Sequence, residues 1–209
     1  MSAWGPRTVA RMCLALACVP LVATTLVATA PGASAGASEM PALKAGVFDP
    51  PRQAPEFTLQ GSNGAELKMS AFRGKVVLLA FGFTSCTEVC PTTLAVFADA
   101  RRKLGPAASG VQVVYITVDP ERDGPERMKK YLAGFDKSFI GGTGSPAQLA
   151  AVRKDYGISA EKKMYGRDYT YVHSSFVYLI DRRGRIRALM PYGHSPDDYV
   201  HDLKILLGE

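Results

Sequence analysis

The sequence predicts an α/β fold in which helices cover a mixed β-sheet. Two continuous apolar, β-prone runs, Lys75–Phe83 and Val111–Val118, are of the kind buried on both faces of a sheet. Stretches with helical spacing follow them, and hairpin signals stand at both ends of this region. With 209 residues, 47% of them apolar, the chain can bury one substantial core, and one domain is expected, two at most.

Residues 1–35 stand apart from that fold. Arg7 and Arg11 precede a nearly uncharged apolar run from Met12 to Ala30 that ends in small residues, which reads as an export signal. Ala28-Thr29-Ala30 and Ala33-Ser34-Ala35 both offer the small-x-small pattern of a cleavage site. The rival reading is an uncleaved membrane anchor, since the run approaches the roughly 20 residues that span a bilayer. Pro20 and the threonines weaken it, and cleavage is favoured. Residues 36–54 are rich in Gly, Ala, Ser and Pro without periodicity and read as a tether, so the domain is expected to occupy residues 55–209.

Within the domain, Phe57–Gln60 and Ala65–Met69 around Gly61-Ser-Asn-Gly64 form an entrance hairpin. Lys75–Phe83 is the central strand. It runs into Thr84-Ser-Cys-Thr-Glu-Val-Cys-Pro91 and then into a helix carrying Leu94, Phe97, Ala98 and Leu104. Val111–Val118 is a second buried strand ending at Asp119-Pro120, and Gly124-Pro125 opens another helix. Pro146–Tyr156 is helical, with Leu149 and Val152 inward. Tyr171–Ile180 and Arg185–Met190 flank the turn Asp181-Arg-Arg-Gly184, and Pro196–Leu207 closes the chain as a helix.

Charge excludes one class of function. The net charge is +6, and without Arg7 and Arg11 there remain 23 basic and 19 acidic residues, interspersed rather than gathered into a stripe. That is a solvated surface, not a nucleic-acid footprint.

Sulfur carries the chemistry. Cys13 and Cys18 lie in the leader, so only Cys86 and Cys90 remain in the body. Their loop is too short for a disulfide there to staple the domain well. Pro91 disfavours the α conformation for Cys90 and suits the first turn of a helix, which places the pair in a loop over a helix N-terminus, where thiolate is stabilised. Two thiolates favour Cu(I) or Zn(II) over harder ions. A structural zinc site needs four protein ligands, whereas two sulfurs and one imidazole satisfy Cu(I). The body offers His173, His194 and His201. His173, at the start of an expected strand Val172–Ile180, is the best third ligand, with a packing histidine beside Tyr165, Tyr169 and Tyr171 an equally weighted reading. His194 and His201 are expected to face solvent.

Three separated motifs carry a resemblance: Phe81-Gly-Phe-Thr-Ser-Cys-Thr-Glu-Val-Cys-Pro91, Val118-Asp-Pro-Glu-Arg-Asp-Gly-Pro125, and Tyr171-Val-His-Ser174 before Tyr178-Leu-Ile-Asp181. In that order, from about Ala54 to the C-terminus, they resemble the Sco (SenC) family of copper-binding thioredoxin-like proteins. The resemblance implies a thioredoxin-like sandwich and copper, as Cu(I) or Cu(II), on Cys86, Cys90 and His173. It implies a place on the outer face of the membrane or in the periplasm. The implied task is delivering copper to the binuclear site of cytochrome c oxidase, or reducing that site's cysteines. The oxidase copper subunit or another copper chaperone is the implied partner, and Asp119 matches a family aspartate associated with docking. A strand-end cap before Pro120 explains Asp119 equally well. The family's aspartate before the histidine is Val172 here, and no proline stands near Ser175, where thioredoxins carry the cis-proline facing the thiols.

Two other readings compete with a metallochaperone. A thiol-disulfide oxidoreductase would need only the redox-active dithiol Cys86 and Cys90, able to close a disulfide. A peroxidase of the same fold would need an activating threonine and a distant resolving cysteine, and neither is evident. No feature points to an obligate oligomer, so a monomer is expected, with the N-terminus as its only membrane contact.

Overall fold

Val76–Gly82 (β4) has no exposed residue along its length, so both of its faces are covered and both of its edges are paired. It runs parallel to Val111–Thr117 (β5), in register from Val76 with Val111 to Gly82 with Thr117. On its other edge it lies antiparallel to Val177–Ile180 (β9). The computed structural model describes residues 42–208, and the expected leader, 1–35, lies outside them.

Around that centre an eight-stranded mixed sheet forms in the order β1-β10-β9-β4-β5-β6-β2-β3. Its other strands are Gly46–Gln53 (β1), Thr58–Gly61 (β2), Glu66–Lys68 (β3), Ile140–Thr143 (β6) and Arg185–Met190 (β10). The helices are Val89–Leu104 (α1), Pro125–Ala133 (α2), Pro146–Asp155 (α3) and Pro196–Gly208 (α4). A separate hairpin pairs Ala160–Tyr165 (β7) with Asp168–His173 (β8). Helix α1 meets α4 through Phe97 and Tyr199, whose rings stand edge to face 5.2 Å apart. Helix α2 packs on β6 closely enough that a Cβ on Gly141 would lie 2.8 Å from Met128, so that strand needs glycine at the contact. Helix α3 opens with a capping box: the Ser145 hydroxyl accepts from the Gln148 amide, and the Gln148 side chain accepts from the Ser145 amide.

Most expected elements form where the sequence places them, with three differences. The tether does not extend to residue 54, because Gly46–Gln53 pairs with β10 at the sheet edge. The Lys44 and Ala45 amides also donate to the buried carboxylate of Asp202 on α4 (2.8 and 3.0 Å). Pro50 and Pro51 hid this strand; an edge tolerates proline because the missing N–H can face solvent, and the register shifts between Val47 and Arg52. Helix α1 begins at Val89 rather than Pro91, so Cys90 is in its first turn. Pro91 fits there because first-turn N–H groups have no partner inside the helix. The expected single strand Tyr171–Ile180 is two, broken at Ser174–Phe176. His173 therefore ends β8 instead of beginning β9.

Phe97 is fully buried at the α1–α4 seam. Phe97→Ala is expected to lower unfolding free energy in urea by about 3–5 kcal/mol, through lost burial and the cavity left behind.

Candidate metal centre

The fully buried strand β4 ends at Gly82 and Phe83, and the chain leaves the sheet there through the cysteine loop. The Val118 amide donates to Gly82 O (2.8 Å) and the Cys86 amide to Phe83 O (3.3 Å), so the loop starts from a fixed backbone. Its first residue is held by Asp123, which is fully buried and accepts from the Thr84 amide (2.9 Å), the Thr84 hydroxyl and the Thr117 hydroxyl (2.7 Å).

Both cysteines are free thiols, Cys90 buried at 3% exposure and Cys86 half-buried. The Cys90 amide points at Cys86 Sγ (3.4 Å). Cys86 is pulled down to about 5, first by the hydrogen bond from the Cys90 thiol. The amides of Cys90 and Glu88 and the charge of His173 add to this against the opposing cost of burial. Cys90 is pushed up, first by donating to Cys86 and then by burial. One proton is thus shared unequally, leaving Cys86 as thiolate and Cys90 as thiol.

His173 arrives from the separate β7–β8 hairpin. Its Nε2 lies 3.8 Å from Cys90 Sγ, and its Nδ1 is 2.9 Å from the carbonyl of Ser174. A carbonyl only accepts, so Nδ1 carries a hydrogen, and Nε2 is the ring nitrogen turned toward the sulfur. Phe83 supports the ring edge to face at 5.9 Å. The hollow bounded by Cys90, Tyr115, His173, Ser175, Phe176 and Val177 has a volume of about 10 Å³, room for a single atom. Among the described residues no three His, Cys, Asp or Glu side chains are already drawn to metal-holding spacing. The three candidate ligands touch in sequence, Cys86 to Cys90 to His173.

Two residues that the sequence left unremarked complete the site. The Tyr115 hydroxyl, on β5, is buried without a hydrogen-bond partner of normal geometry, yet it abuts Cys90. Burial raises its pKa well above the usual tyrosine value, and charge on Cys90 adds to this. Gly82 makes room for the pair: a Cβ there would lie 2.0 Å from the Tyr115 oxygen and 2.8 Å from Cys90 Sγ. An orphaned donor against a sulfur suits a thiolate that becomes charged when it binds a soft cation. The donor set of two sulfurs and one imidazole nitrogen suits copper in the same way.

Asp119 is placed differently from the docking role that the resemblance implied. It is 0% exposed, and its carboxylate accepts from Arg122 and from the Tyr169 hydroxyl (3.0 Å), so it has no surface to offer a partner. His194 and His201 are half-buried rather than solvent-facing. Their Nδ1 atoms approach the α4 carboxylates of Asp198 and Asp202 at 3.5 and 2.9 Å.

Iodoacetamide labelling is expected to modify Cys86 with a pH midpoint near 5 while Cys90 stays unlabelled; equal labelling of both above pH 8 would contradict the unequal sharing. Because the folded value of Cys86 lies below the unfolded thiol's, its ionisation stabilises the fold above the unfolded pKa. That contribution is lost as pH falls through about 5. Gly82→Ala is expected to leave the fold cooperative in a thermal melt but to shift the Cys86 midpoint upward, because the added methyl displaces Cys90 and Tyr115.

Comparison with known proteins agrees with this geometry. The family model SCO1/SenC matches residues 48–208. The SCO2-like protein of Rickettsia felis is 34% identical over 157 residues, which is 71% of this chain and 74% of that protein. The structure of Bradyrhizobium japonicum ScoI with copper bound superposes with a TM-score of 0.70 at 37% identity, covering 74% of this chain and 99% of that one. BsSco, described with a disulfide switch and as a member of the Sco family of cytochrome c oxidase assembly proteins, superposes with a TM-score of 0.63 at 26% identity. It covers 78% of this chain and 98% of its own. A thioredoxin-like sheet whose central strand leads into two unequal thiols facing an imidazole nitrogen thus goes with a match over nearly the whole domain, and this chain belongs to the SCO1/SenC family of copper-handling, oxidase-assembly proteins.

Proposed function

We propose that this protein is an exported copper chaperone that holds copper on Cys86, Cys90 and His173 and passes it toward the binuclear copper site of cytochrome c oxidase. The observation that carries the reading is the contact between Cys90 Sγ and His173 Nε2 at 3.8 Å, with Nδ1 engaged by Ser174 O so that Nε2 is free to ligate. The copper-bound relative from Bradyrhizobium supports it. Cys86, already ionised, binds first. Cys90 follows by losing its proton, and the adjacent Tyr115 hydroxyl is in reach to donate to the new thiolate. Two sulfurs and one nitrogen leave Cu(I) a low coordination number, and a partner's ligand can enter before one of these leaves. The oxidase copper subunit or another copper chaperone is the partner in this reading. The N-terminal segment supplies export to the periplasm or the outer membrane face, with cleavage favoured over anchorage, and the working unit is a monomer.

A second reading rests on the unequal thiols. A half-buried, ionised Cys86 beside a protonated, buried Cys90 is the arrangement of an attacking and a resolving cysteine. Cys86 would attack a partner disulfide, and Cys90, on losing its proton, would release the mixed disulfide. Two electrons pass to the partner and a Cys86–Cys90 disulfide remains. Both activities need the same reduced dithiol, so oxidation would switch copper binding off.

Anaerobic competition for Cu(I) against a chromophoric chelator separates these readings. Reduced protein is expected to bind one equivalent tightly, and His173→Ala to lose more than about tenfold in affinity, at least the loss known for disturbing a ligand's support. Weak binding, or binding indifferent to His173, would overturn the three-ligand site and put the reductase first.

A further inference from the structure

The histidine ligand and the cysteine ligands come from different sheets, and one short turn touches both. Residues 119–123 lie between β5 and α2, and the Asp123 amide donates to Asp119 O (3.0 Å), folding the turn on itself. Its two carboxylates are fully buried and face in different directions. Asp123 takes the cysteine arm, through Thr84 and Thr117. Asp119 takes the histidine arm, accepting from the Tyr169 hydroxyl of β8 at 3.0 Å.

Arg122 completes the join. Its Nε donates to Asp119, and its Nη1 donates to the Tyr169 carbonyl (3.2 Å) and reaches Asp168 (3.4 Å). The guanidinium lies 3.9 Å from the Tyr169 ring centroid and 6.0 Å from that of Phe83, while Lys162 Nζ lies 3.8 Å from the Tyr169 centroid. Lys162 in turn pairs with Glu121 of the same turn at 2.7 Å. Phe83 contacts His173 at 5.9 Å. Contacts therefore run unbroken from the turn through Tyr169 and Arg122 to Phe83 and the histidine. The hairpin's other anchors are the Tyr171 ring, edge to face with Phe83 at 5.9 Å, and the bonds at its base, where Ser174 N donates to Ser159 O (3.0 Å), Ser159 N donates to Ser174 Oγ (3.1 Å) and the two hydroxyls meet at 3.0 Å.

We propose that the 119–123 turn is a clamp that sets the distance between the Cys86–Cys90 pair and His173, with Asp119, Arg122 and Tyr169 as positioning residues for the histidine arm. Asp123 does the same for the cysteine arm. This rests on the copper reading of the site, and it explains two fully buried carboxylates beside a surface-borne hairpin that owns almost no apolar core. A buried carboxylate is costly unless paired, so each persists here only with its partners in place.

Tyr169→Phe keeps the ring under Arg122 and removes only the hydroxyl given to Asp119. The full chain carrying it is compared with the wild type in amide hydrogen exchange without metal, and in Cu(I) competition in both the wild-type and His173→Ala backgrounds. Expected are faster exchange at residues 168–173 with β4 unchanged, and an affinity loss of about three- to tenfold, the range of one lost buried hydrogen bond, that disappears in the His173→Ala background. Arg122→Lys, which keeps charge but loses the fork, is expected to behave alike and more strongly. Equal losses in both backgrounds, or unchanged hairpin exchange with unchanged affinity, would overturn the clamp. If wild-type affinity itself proves indifferent to His173, the copper reading falls, and unchanged exchange at 168–173 would still overturn the clamp independently.

Discussion

A strand covered on both faces and paired on both edges has only its ends available for chemistry, and β4 imposes this constraint on the whole molecule. Its seven residues are all buried, its N-H and C=O groups are committed to β5 and β9, and the first backbone free of that commitment is the stretch after Phe83. The cysteines therefore leave the sheet at its C-terminal edge, where the first turn of α1 meets them with amides that have no helical partner. The position of Gly82 shows how tight this exit is, since Tyr115 and Cys90 both occupy the space a methyl group would need.

From that exit the site divides into a local half and a distant half. The local half is the five residues Cys86 to Cys90, loop running into the first turn of α1, in which one thiol donates to the other, so burial of Cys90 and stabilisation of the Cys86 thiolate are two consequences of one geometry. The distant half depends on a hairpin lying outside the main sheet, with Met164, Tyr165 and Val172 exposed. Its attachment is polar and aromatic rather than apolar, made by buried carboxylates, a guanidinium and stacked rings. Such attachments are specific in direction because a buried charge tolerates few arrangements. The buried pair Asp119 and Asp123, some thirty positions after the cysteines, thereby becomes part of the geometry that joins the two halves.

Unequal thiols serve both tasks considered for the protein. A soft cation needs thiolates, and one is present before binding. Disulfide exchange needs an attacking thiolate and a protected second thiol, and the same asymmetry supplies them. His173 is the group the second task does not use, which is why its Nε2, turned toward Cys90 by the Ser174 carbonyl, separates the readings.

The sequence by itself determined the central strands, the helices with regular apolar spacing and the placing of Cys86 and Cys90 at a strand-to-helix handover. Each of these is written in local periodicity or in a single turn of chain, as in Leu149 and Val152 on α3 or Gly124-Pro125 before α2. It left β1 hidden because prolines at a sheet edge look like linker. Strand β6 was hidden because Ile140-Gly-Gly-Thr143 owes its place to α2 pressing on glycine, and the β7–β8 hairpin because most of its residues face solvent and show no alternation. Gly166 between two runs of β-prone residues was the one available signal for that hairpin. His173 was legible as a candidate but not as a ligand, and Asp119 as a motif residue but not as a buried one. Whether an imidazole faces a sulfur, or a carboxylate faces water, depends on contacts between segments tens of residues apart. Only the folded chain brings Asp119 to Tyr169, 50 positions on, and Cys90 to His173, 83 positions on, and those two contacts decide what the site can hold.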